Sequence, residues 1–237
     1  NSNTLIIMDK IKLTIDNKPV EVAKGTTIFQ AARQVGINIP ALCYMKLENL
    51  GVENRPGACR ICVVEVEGRR NLAPSCSTDC TEGMVVKTTS PRVLNARRTV
   101  MELILSDHPQ DCLVCPSNGK CELQDLAATL GIREIRTVEN AEVSTYRKDY
   151  SFSLQRDMDK CILCRRCESM CNDVQSVGAL GAINRGFTSI VATAFEQNLS
   201  DSPCVFCGQC VAVCPTGALT RTDDTGRVFK ALADPTK

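Results

Sequence analysis

Two copies of one cysteine spacing, C-x2-C-x2-C-x3-C, constrain the second half of this 237-residue chain more than any other feature. The first copy is Cys161, Cys164, Cys167 and Cys171, and the second is Cys204, Cys207, Cys210 and Cys214, followed at once by Pro215. In paired 4Fe-4S sites with this spacing, three cysteines of each run bind one cluster and the fourth binds the other. The pattern therefore predicts two crossed ligand sets, Cys161, Cys164, Cys167 with Cys214, and Cys171 with Cys204, Cys207, Cys210. Disulfides or zinc sites are the alternative reading.

The composition restricts where such a protein works and what it binds. Sixteen cysteines would suggest disulfides in a secreted protein, but the start of the chain has only four consecutive apolar residues, too few for a signal peptide. No apolar run approaches the length of a membrane span, and a formal net charge of +1 gives no reason to expect nucleic acid binding. We expect a cytoplasmic protein that is not inserted in a membrane.

The first ninety residues have the order of a β-grasp ferredoxin. Alternating apolar residues predict a hairpin over 10–22, and Thr27 and Gln30 stand three apart as in a capping box, which predicts a helix over 28–35. Further strands are predicted over 62–66 and 84–88. The order of strand, strand, helix and cysteine-bearing loop predicts a β-grasp 2Fe-2S domain over residues 9–89.

Four cysteines of this first domain are the candidate 2Fe-2S ligands: Cys43, Cys59, Cys62 and Cys76. The gap between Cys43 and Cys59 is longer than the gap of four residues in plant-type ferredoxins. The short turn from Cys59 to Cys62 still suits two sulfurs on one cluster. Cys80 competes with Cys76 for the fourth place, and we favour Cys76. Buried free cysteines are the alternative.

A histidine and three cysteines follow a predicted helix that begins at Ser90 and Pro91 and ends near Ser106. They are the candidate ligands of a third 4Fe-4S cluster: His108, Cys112, Cys115 and Cys121. A lone histidine is more often a solvated or hydrogen-bonded side chain. Here it completes four sets of four ligands and leaves Cys80 as a free thiol. The competing set replaces His108 by Cys80, which lies on the far side of the predicted helix. This domain is predicted over 90–136, with a second helix that ends at Gly131.

The remaining segments predict a small βα-rich unit over residues 150–237, so that the whole chain is α+β. Residues 137–153 are polar and form a connector, short strands are expected over 179–183 and 188–192, and residues 220–226 are expected to form a turn. The sequence contains no glycine-rich phosphate loop and no nucleophile motif. We therefore expect no nucleotide or flavin site in this chain.

Several motifs outside the paired runs carry a family resemblance. They are Gly57–Cys62, Pro74–Cys76 followed by Glu82–Met84, and His108–Cys121 followed by Glu122–Asp125. With all four ligand sets in this order, the chain resembles the N-terminal half of the large iron–sulfur subunit of complex I and of FeFe hydrogenases. In extent it is most similar to the small diaphorase-linked iron–sulfur subunits of NAD(P)-dependent and electron-bifurcating hydrogenases.

The chain departs from the family pattern in two places. The loop between Cys43 and Cys59 is longer than usual, and Cys80 stands where an apolar residue is more common. Both ferredoxin-type ligand sets are complete here, whereas the complex I subunit usually retains one of them. This favours the hydrogenase-type relatives.

The resemblance implies one 2Fe-2S and three 4Fe-4S clusters in an electron-transfer subunit that is not an enzyme on its own. The implied partners are a flavin-containing NAD(P)H-binding subunit, a small 2Fe-2S subunit, and a hydrogenase or other terminal redox subunit, with ferredoxin as a further candidate. Electron bifurcation would fit such a complex. The alternatives are a free polyferredoxin carrier, or the first part of a catalytic FeFe hydrogenase chain. A protein that uses its clusters only as structural staples is the remaining alternative.

Overall fold

The computed structural model describes residues 10–54, 56–136 and 149–236. Most of the predicted connector, residues 137–148, lies outside these ranges, as does the apolar start of the chain. The described residues form two compact units. The first comprises residues 10–107 and 122–136, and the second comprises residues 108–121 and 149–236. The sequence predicts three domains, over 9–89, 90–136 and 150–237. Those three domain boundaries stay a prediction. By their contacts, the helices on either side of the histidine loop belong to the first unit and the loop itself to the second.

The first unit contains a five-stranded sheet with strand order β2-β1-β5-β3-β4. Its strands are β1 Lys10–Ile15, β2 Lys18–Ala23, β3 Val63–Val66, β4 Ala73–Pro74 and β5 Val85–Lys87. β1 pairs antiparallel with β2 and parallel with β5, while β3 pairs antiparallel with both of its neighbours. Asp16 and Asn17 join β1 to β2 with positive φ angles of 46° and 64°, the two-residue turn whose twist matches a hairpin. The predicted hairpin is confirmed.

Helix α1, Ile28–Gln34, covers one face of this sheet. The predicted capping box is confirmed, because the Thr27 hydroxyl accepts from the Gln30 backbone N–H at 3.3 Å and Gln30 Oε1 accepts from the Thr27 N–H at 3.0 Å. Ile28 and Phe29 are buried in the core of the unit, together with Ile15 and Val86 of the central strands. The core is therefore built mainly from aliphatic residues of the sheet and of α1.

Two further helices belong to the first unit. Helix α2, Pro91–Ser106, begins as predicted, with Ser90 accepting from the Val93 N–H at 3.3 Å and proline in the first turn. Helix α3, Glu122–Thr129, ends just before Gly131. The buried Glu102 of α2 forms a double hydrogen bond with Arg136, whose Nη2 donates at 2.8 Å. Among the described residues, no helix is long and apolar enough to cross a lipid bilayer.

The second unit consists of much shorter elements. A three-stranded sheet has the order β10-β7-β6, and β8 pairs with β9. Its elements are β6 Asp149–Tyr150, β7 Leu154–Arg156, α4 Arg166–Ser169, β8 Gly181–Ile183, β9 Ile190–Ala192, α5 Gln209–Ala212, β10 Leu219–Arg221 and α6 Thr225–Leu232. The strands predicted over 179–183 and 188–192 are confirmed as β8 and β9.

The prediction of a turn over 220–226 is wrong at both ends. Leu219–Arg221 is a strand because it pairs with β7, and Thr225–Leu232 is a helix that contains Gly226. Asp223 accepts from the Thr225 N–H at 3.0 Å and so satisfies a backbone donor where the helix begins. A glycine in the first turn lowers helix propensity without preventing the helix.

Candidate iron–sulfur sites

The structure brings together the four candidate 2Fe-2S ligands of the first unit. All four thiols are buried, and the sulfur of Cys43 is within hydrogen-bond distance of Cys59 and Cys76, as that of Cys62 is of Cys76. Cys59 and Cys62 lie on a loop before β3, where the positive φ angles of Gly57 and Arg60 turn the chain sharply. All sixteen cysteines are free thiols, so no disulfide competes for these sulfurs.

The protonation of these thiols reflects how closely they stand. Hydrogen bonds from Cys59 and Cys76 lower the pKa of Cys43 to about 2, and a hydrogen bond from Cys76 lowers the pKa of Cys62 to about 7. Donating those hydrogen bonds raises the pKa of Cys59 and of Cys76. The hydrogen bonds thus favour the thiolate form of Cys43 and Cys62 and the protonated form of Cys59 and Cys76. Iron ions replace such protons when a cluster binds, so this donor set fits a 2Fe-2S cluster.

Cys80 stands apart from this set. It is buried in the apolar core of the first unit, and its N–H donates to the carbonyl of Thr26 at 2.9 Å. Burial raises its pKa to about 11, with a further contribution from Asp79, and no other cysteine contributes to the shift. The structure therefore places Cys76, and not Cys80, with the other three thiols.

In the second unit, one cavity is lined by both parts of the first crossed set, which are Cys161, Cys164, Cys167 and Cys214. Burial raises the pKa of Cys161 to about 11 and that of Cys164 to about 12, and the charge of Cys214 contributes to both shifts. Apolar side chains such as Leu180 and Val191 form much of the remaining wall, to which Arg156 and Arg165 also contribute. A pocket of four thiols with apolar walls fits a 4Fe-4S cluster.

The second crossed set has the same local geometry. Cys171, Cys204 and Cys207 all contribute to the raised pKa of Cys210, which burial brings to about 11. In both runs the residue two after the first cysteine has a positive φ, 53° at Leu163 and 53° at Phe206, and its N–H points to that cysteine's sulfur at 3.4 Å. The runs therefore fold as two copies of one turn. They differ in burial, since Cys207 is exposed.

The candidate set with one histidine packs against the segment that follows Cys214. The Cys121 sulfur lies 3.6 Å from the Pro215 carbonyl oxygen, and the Ser117 hydroxyl donates to the Thr216 carbonyl at 3.3 Å. Gly217 has no room for a side chain, because a Cβ there would lie 2.8 Å from the Cys115 sulfur. The sequence reasoning did not single out Thr216 and Gly217. The proline after the last cysteine was the only signal in the sequence for this segment.

One ring nitrogen of His108 is buried. Its Nδ1 has no hydrogen-bond partner among the residues that the structure describes, which is uncommon for a buried polar atom. Burial lowers its pKa, and Lys160 acts in the same direction while Asp111 and Asp157 oppose it. A neutral imidazole with a free nitrogen is the form that binds metal. The described contacts do not join His108 to the three sulfurs.

Within residues 10–54, 56–136 and 149–236, no three histidine, cysteine or carboxylate side chains are arranged around a single metal ion. Such an arrangement is not what a cluster requires, because its several iron atoms each take one or two protein ligands. The thiol sets of the first unit and of the crossed runs fit a cluster, and the histidine set supplies the donor types for one.

Three protein families match successive parts of the chain. Residues 8–91 match a 2Fe-2S iron–sulfur cluster binding domain, and residues 97–136 match the NADH-ubiquinone oxidoreductase-G iron–sulfur binding region. Residues 152–220 match the ferredoxin-like domain of NADH-quinone oxidoreductase subunit 3. The three matched ranges include every candidate ligand.

Curated proteins with similar sequences are much longer than this chain. A NADP-reducing hydrogenase subunit HndD from Solidesulfovibrio fructosivorans is 60% identical over 97% of the chain and 39% of its own length. A G-type subunit of the NADH-quinone oxidoreductase of Rhizobium meliloti is 41% identical over 88% of the chain and 24% of its own length. The NADPH-Fe(3+) oxidoreductase subunit alpha of Geobacter sulfurreducens is 38% identical over the same shares. The chain thus spans between 24% and 39% of the length of these relatives.

One solved structure is similar over nearly all of both chains. A chain of an NAD+-reducing [NiFe]-hydrogenase in the H2-reduced state superposes with a TM-score of 0.79 and 29% sequence identity. The match covers 90% of this chain and 87% of that one. A similar sequence therefore makes up most of one solved chain and a smaller share of the longer relatives.

Proposed function

Because the chain carries the iron–sulfur domains of NADH-quinone oxidoreductase G-type subunits, we propose that it relays single electrons inside a multisubunit oxidoreductase. One end of the relay is a flavin-containing subunit that oxidises NADH or NADPH, next to a small 2Fe-2S subunit. The other end is a terminal redox subunit, a hydrogenase in the leading case. The protein would work in the cytoplasm, where thiols stay reduced.

The ligand assignment belongs to this proposal. One 2Fe-2S and three 4Fe-4S clusters are held by these residues: Cys43, Cys59, Cys62, Cys76; His108, Cys112, Cys115, Cys121; Cys161, Cys164, Cys167, Cys214; and Cys171, Cys204, Cys207, Cys210. When bound, the clusters supply one-electron redox chemistry at potentials set by charge, hydrogen bonds and exposure. The protein's own residues fix the sulfurs and exclude water.

The observation that carries the proposal is the linkage of three ligand sets through one short stretch of chain. Cys214 stands with the first crossed set, and Cys167 of that set lies close enough to Cys210 of the second to feel its charge. The residue after Cys214, Pro215, contacts Cys121 of the histidine set. An electron relay requires its centres to be neighbours, and the contacts of this segment support that arrangement.

The exposure of the thiols in the second unit indicates where electrons leave it. Most thiols of the crossed sets are buried or half-buried, whereas Cys207 is exposed and its neighbour Val205 is 64% exposed. We place the exchange of electrons with the terminal subunit at this surface, because the rate of electron transfer falls as the separation between centres grows.

A second candidate is favoured by the length of one relative. Since this chain matches 39% of the HndD subunit, it also fits the electron-input part of a longer hydrogenase chain that carries its own terminal site. In that case electrons reach the terminal site within one polypeptide instead of passing between subunits. The intact mass of the natural protein separates the two arrangements.

The experiment is anaerobic purification of the tagged protein from its native host, with mass identification of every associated subunit and an assay of hydrogen-dependent NAD or NADP reduction. We expect a flavin subunit in the complex and nucleotide reduction that depends on this chain. A Cys164→Ser variant should abolish that activity, and a Cys80→Ser variant should retain it. A chain that purifies alone and reduces no nucleotide would overturn the proposal in favour of a free carrier.

A further inference from the structure

An arginine occupies an interior position of helix α2. Val93, Arg97 and Met101 are spaced four apart and form the buried stripe of the helix, and Arg97 is only 3% exposed. Residues four apart on a helix lie on one face, so the guanidinium enters the region between α2 and the sheet where an aliphatic side chain is expected. Burying this group without a partner is costly, which calls for an explanation.

The contacts of Arg97 lead to the 2Fe-2S site. Its Nη2 donates to the Val63 carbonyl oxygen at 2.9 Å, and Val63 directly follows Cys62. Its Nε is buried and has no hydrogen-bond partner among the described residues. No carboxylate of the described part of the chain lies within ion-pair distance of it. One end of the guanidinium is therefore held against the ligand loop, and its charge lacks a paired anion.

Two groups act on this charge electrostatically, Cys62 and Asp16. Burial lowers the pKa of Arg97, and Cys62 opposes that effect more strongly than Asp16 does. The Asp16 carboxylate is already engaged, because it accepts from the Thr88 N–H at 2.7 Å and from the Thr88 hydroxyl. An arginine does not lose its proton in a protein. The anion that balances the cation is then the thiolate set to which Cys62 belongs.

We infer that Arg97 is a positioning residue that provides a fixed positive charge beside the 2Fe-2S cluster and raises its reduction potential. This inference rests on the ligand assignment made above for Cys43, Cys59, Cys62 and Cys76. Each electron that the cluster accepts adds one negative charge to a site already made negative by four thiolates. A nearby cation stabilises the reduced state more than the oxidised one, and a low-dielectric interior strengthens that interaction.

The test compares three variants of the intact protein, purified without oxygen. Arg97→Gln removes the charge but can still donate a hydrogen bond to the Val63 carbonyl. Arg97→Lys keeps the charge. Arg98→Gln removes a charge from the next residue of the same helix, which is exposed. The measurements are iron and sulfide content, and the midpoint potential of the reduced 2Fe-2S signal in an electron paramagnetic resonance titration.

We expect a lower 2Fe-2S midpoint in Arg97→Gln, a midpoint close to that of the unaltered protein in Arg97→Lys, and no shift in Arg98→Gln, whose charge is screened by solvent. The 4Fe-4S midpoints should not move. If only Arg97→Gln, and neither of the other two variants, lost the 2Fe-2S signal, that result would also support the need for a positive charge beside the cluster. Equal shifts in Arg97→Gln and Arg97→Lys, or none in either, would overturn the inference. An unaltered protein without any 2Fe-2S signal would overturn the ligand assignment and this inference with it.

Discussion

The two units hold their candidate ligands in opposite ways. In the first, Cys62 and Cys76 belong to a core made mainly of aliphatic residues from the sheet and a helix. In the second, the strands have two or three residues, and the small core of Leu154, Leu180 and Leu219 packs directly on cysteines of both crossed sets. A large apolar core can position thiols before metal arrives, whereas a core made of ligands needs the metal to be complete.

The largest expected effect is the response to removal of iron. In hydrogen exchange of the chelated protein, we expect amides of β1 and β2 to remain protected and those of β7 and β10 to exchange at close to the unfolded rate. The reason is that the first unit retains its aliphatic core, while the second loses the bonds that hold its thiols together. Equal loss of protection in both units would refute the comparison.

The second effect tests how tightly the ligand segments of the second unit are packed. Gly217→Ala places a Cβ 2.8 Å from the Cys115 sulfur, a distance that forces the glycine segment or the histidine loop to move. We expect lower iron content and a destabilisation of about 1–3 kcal/mol, as for overpacking of a core. Gly226→Ala is the matched control, because its Cβ meets nothing within 4 Å and should stabilise α6 by up to about 1 kcal/mol.

If Gly217→Ala retains full iron content and the same thermal midpoint, the histidine loop is less closely packed than its contacts indicate. Iron per chain is measured by metal analysis, and the thermal midpoint by differential scanning calorimetry.

The third effect concerns ligand chemistry instead of packing. His108→Cys replaces a neutral imidazole by a thiolate and adds negative charge at the cluster, so the midpoint potential of this 4Fe-4S cluster should fall. The 2Fe-2S midpoint of the same sample is the internal control and should stay unchanged. An unaltered or higher 4Fe-4S midpoint would contradict histidine ligation.

The smallest expected effect concerns Cys80, the cysteine of the first unit that is not a candidate ligand. Cys80→Ala should keep full iron content and cost about 1 kcal/mol of stability, whereas Cys76→Ala should lose the 2Fe-2S signal. Burial raises the pKa of Cys80 to about 11 from 9.0 in the unfolded chain, so ionisation favours unfolding as the pH rises between these values. Cys80→Ala should remove this part of the alkaline destabilisation in unfolding titrations. Loss of iron from Cys80→Ala would reverse the assignment.

Local patterns predicted the elements that depend on neighbouring residues. The hairpin of β1 and β2, the capping box at Thr27 and the start of α2 follow from alternation and from cap residues a few positions apart. The cysteine spacing predicts which thiols of the two runs share a cluster; Cys214 does line one cavity with the first trio, and cluster binding stays a prediction. Each of these features has a geometry that recurs with the same short sequence pattern, so the pattern predicts it.

The features that were missed depend on contacts across long stretches of chain. Strand β10 exists because it pairs with β7, more than sixty residues earlier, and nothing in the polar sequence around Thr220 indicates that partner. The histidine loop groups with the second unit because Ser117 and Cys121 meet Pro215 and Thr216, almost a hundred residues away. Arg97 was missed because an arginine on a helix is usually exposed, and only its burial distinguishes it from Arg98.

The crossing of Cys171 and Cys214 has a consequence for how such a protein can change over evolution. Each thiol set of the second unit draws on both cysteine runs, so neither run can be deleted, duplicated or transferred without disabling two sites at once. Recombination can move this unit between larger proteins only as a whole. In line with that restriction, the matches to relatives extend over 88% or more of this chain while taking up 39% or less of each relative's own length.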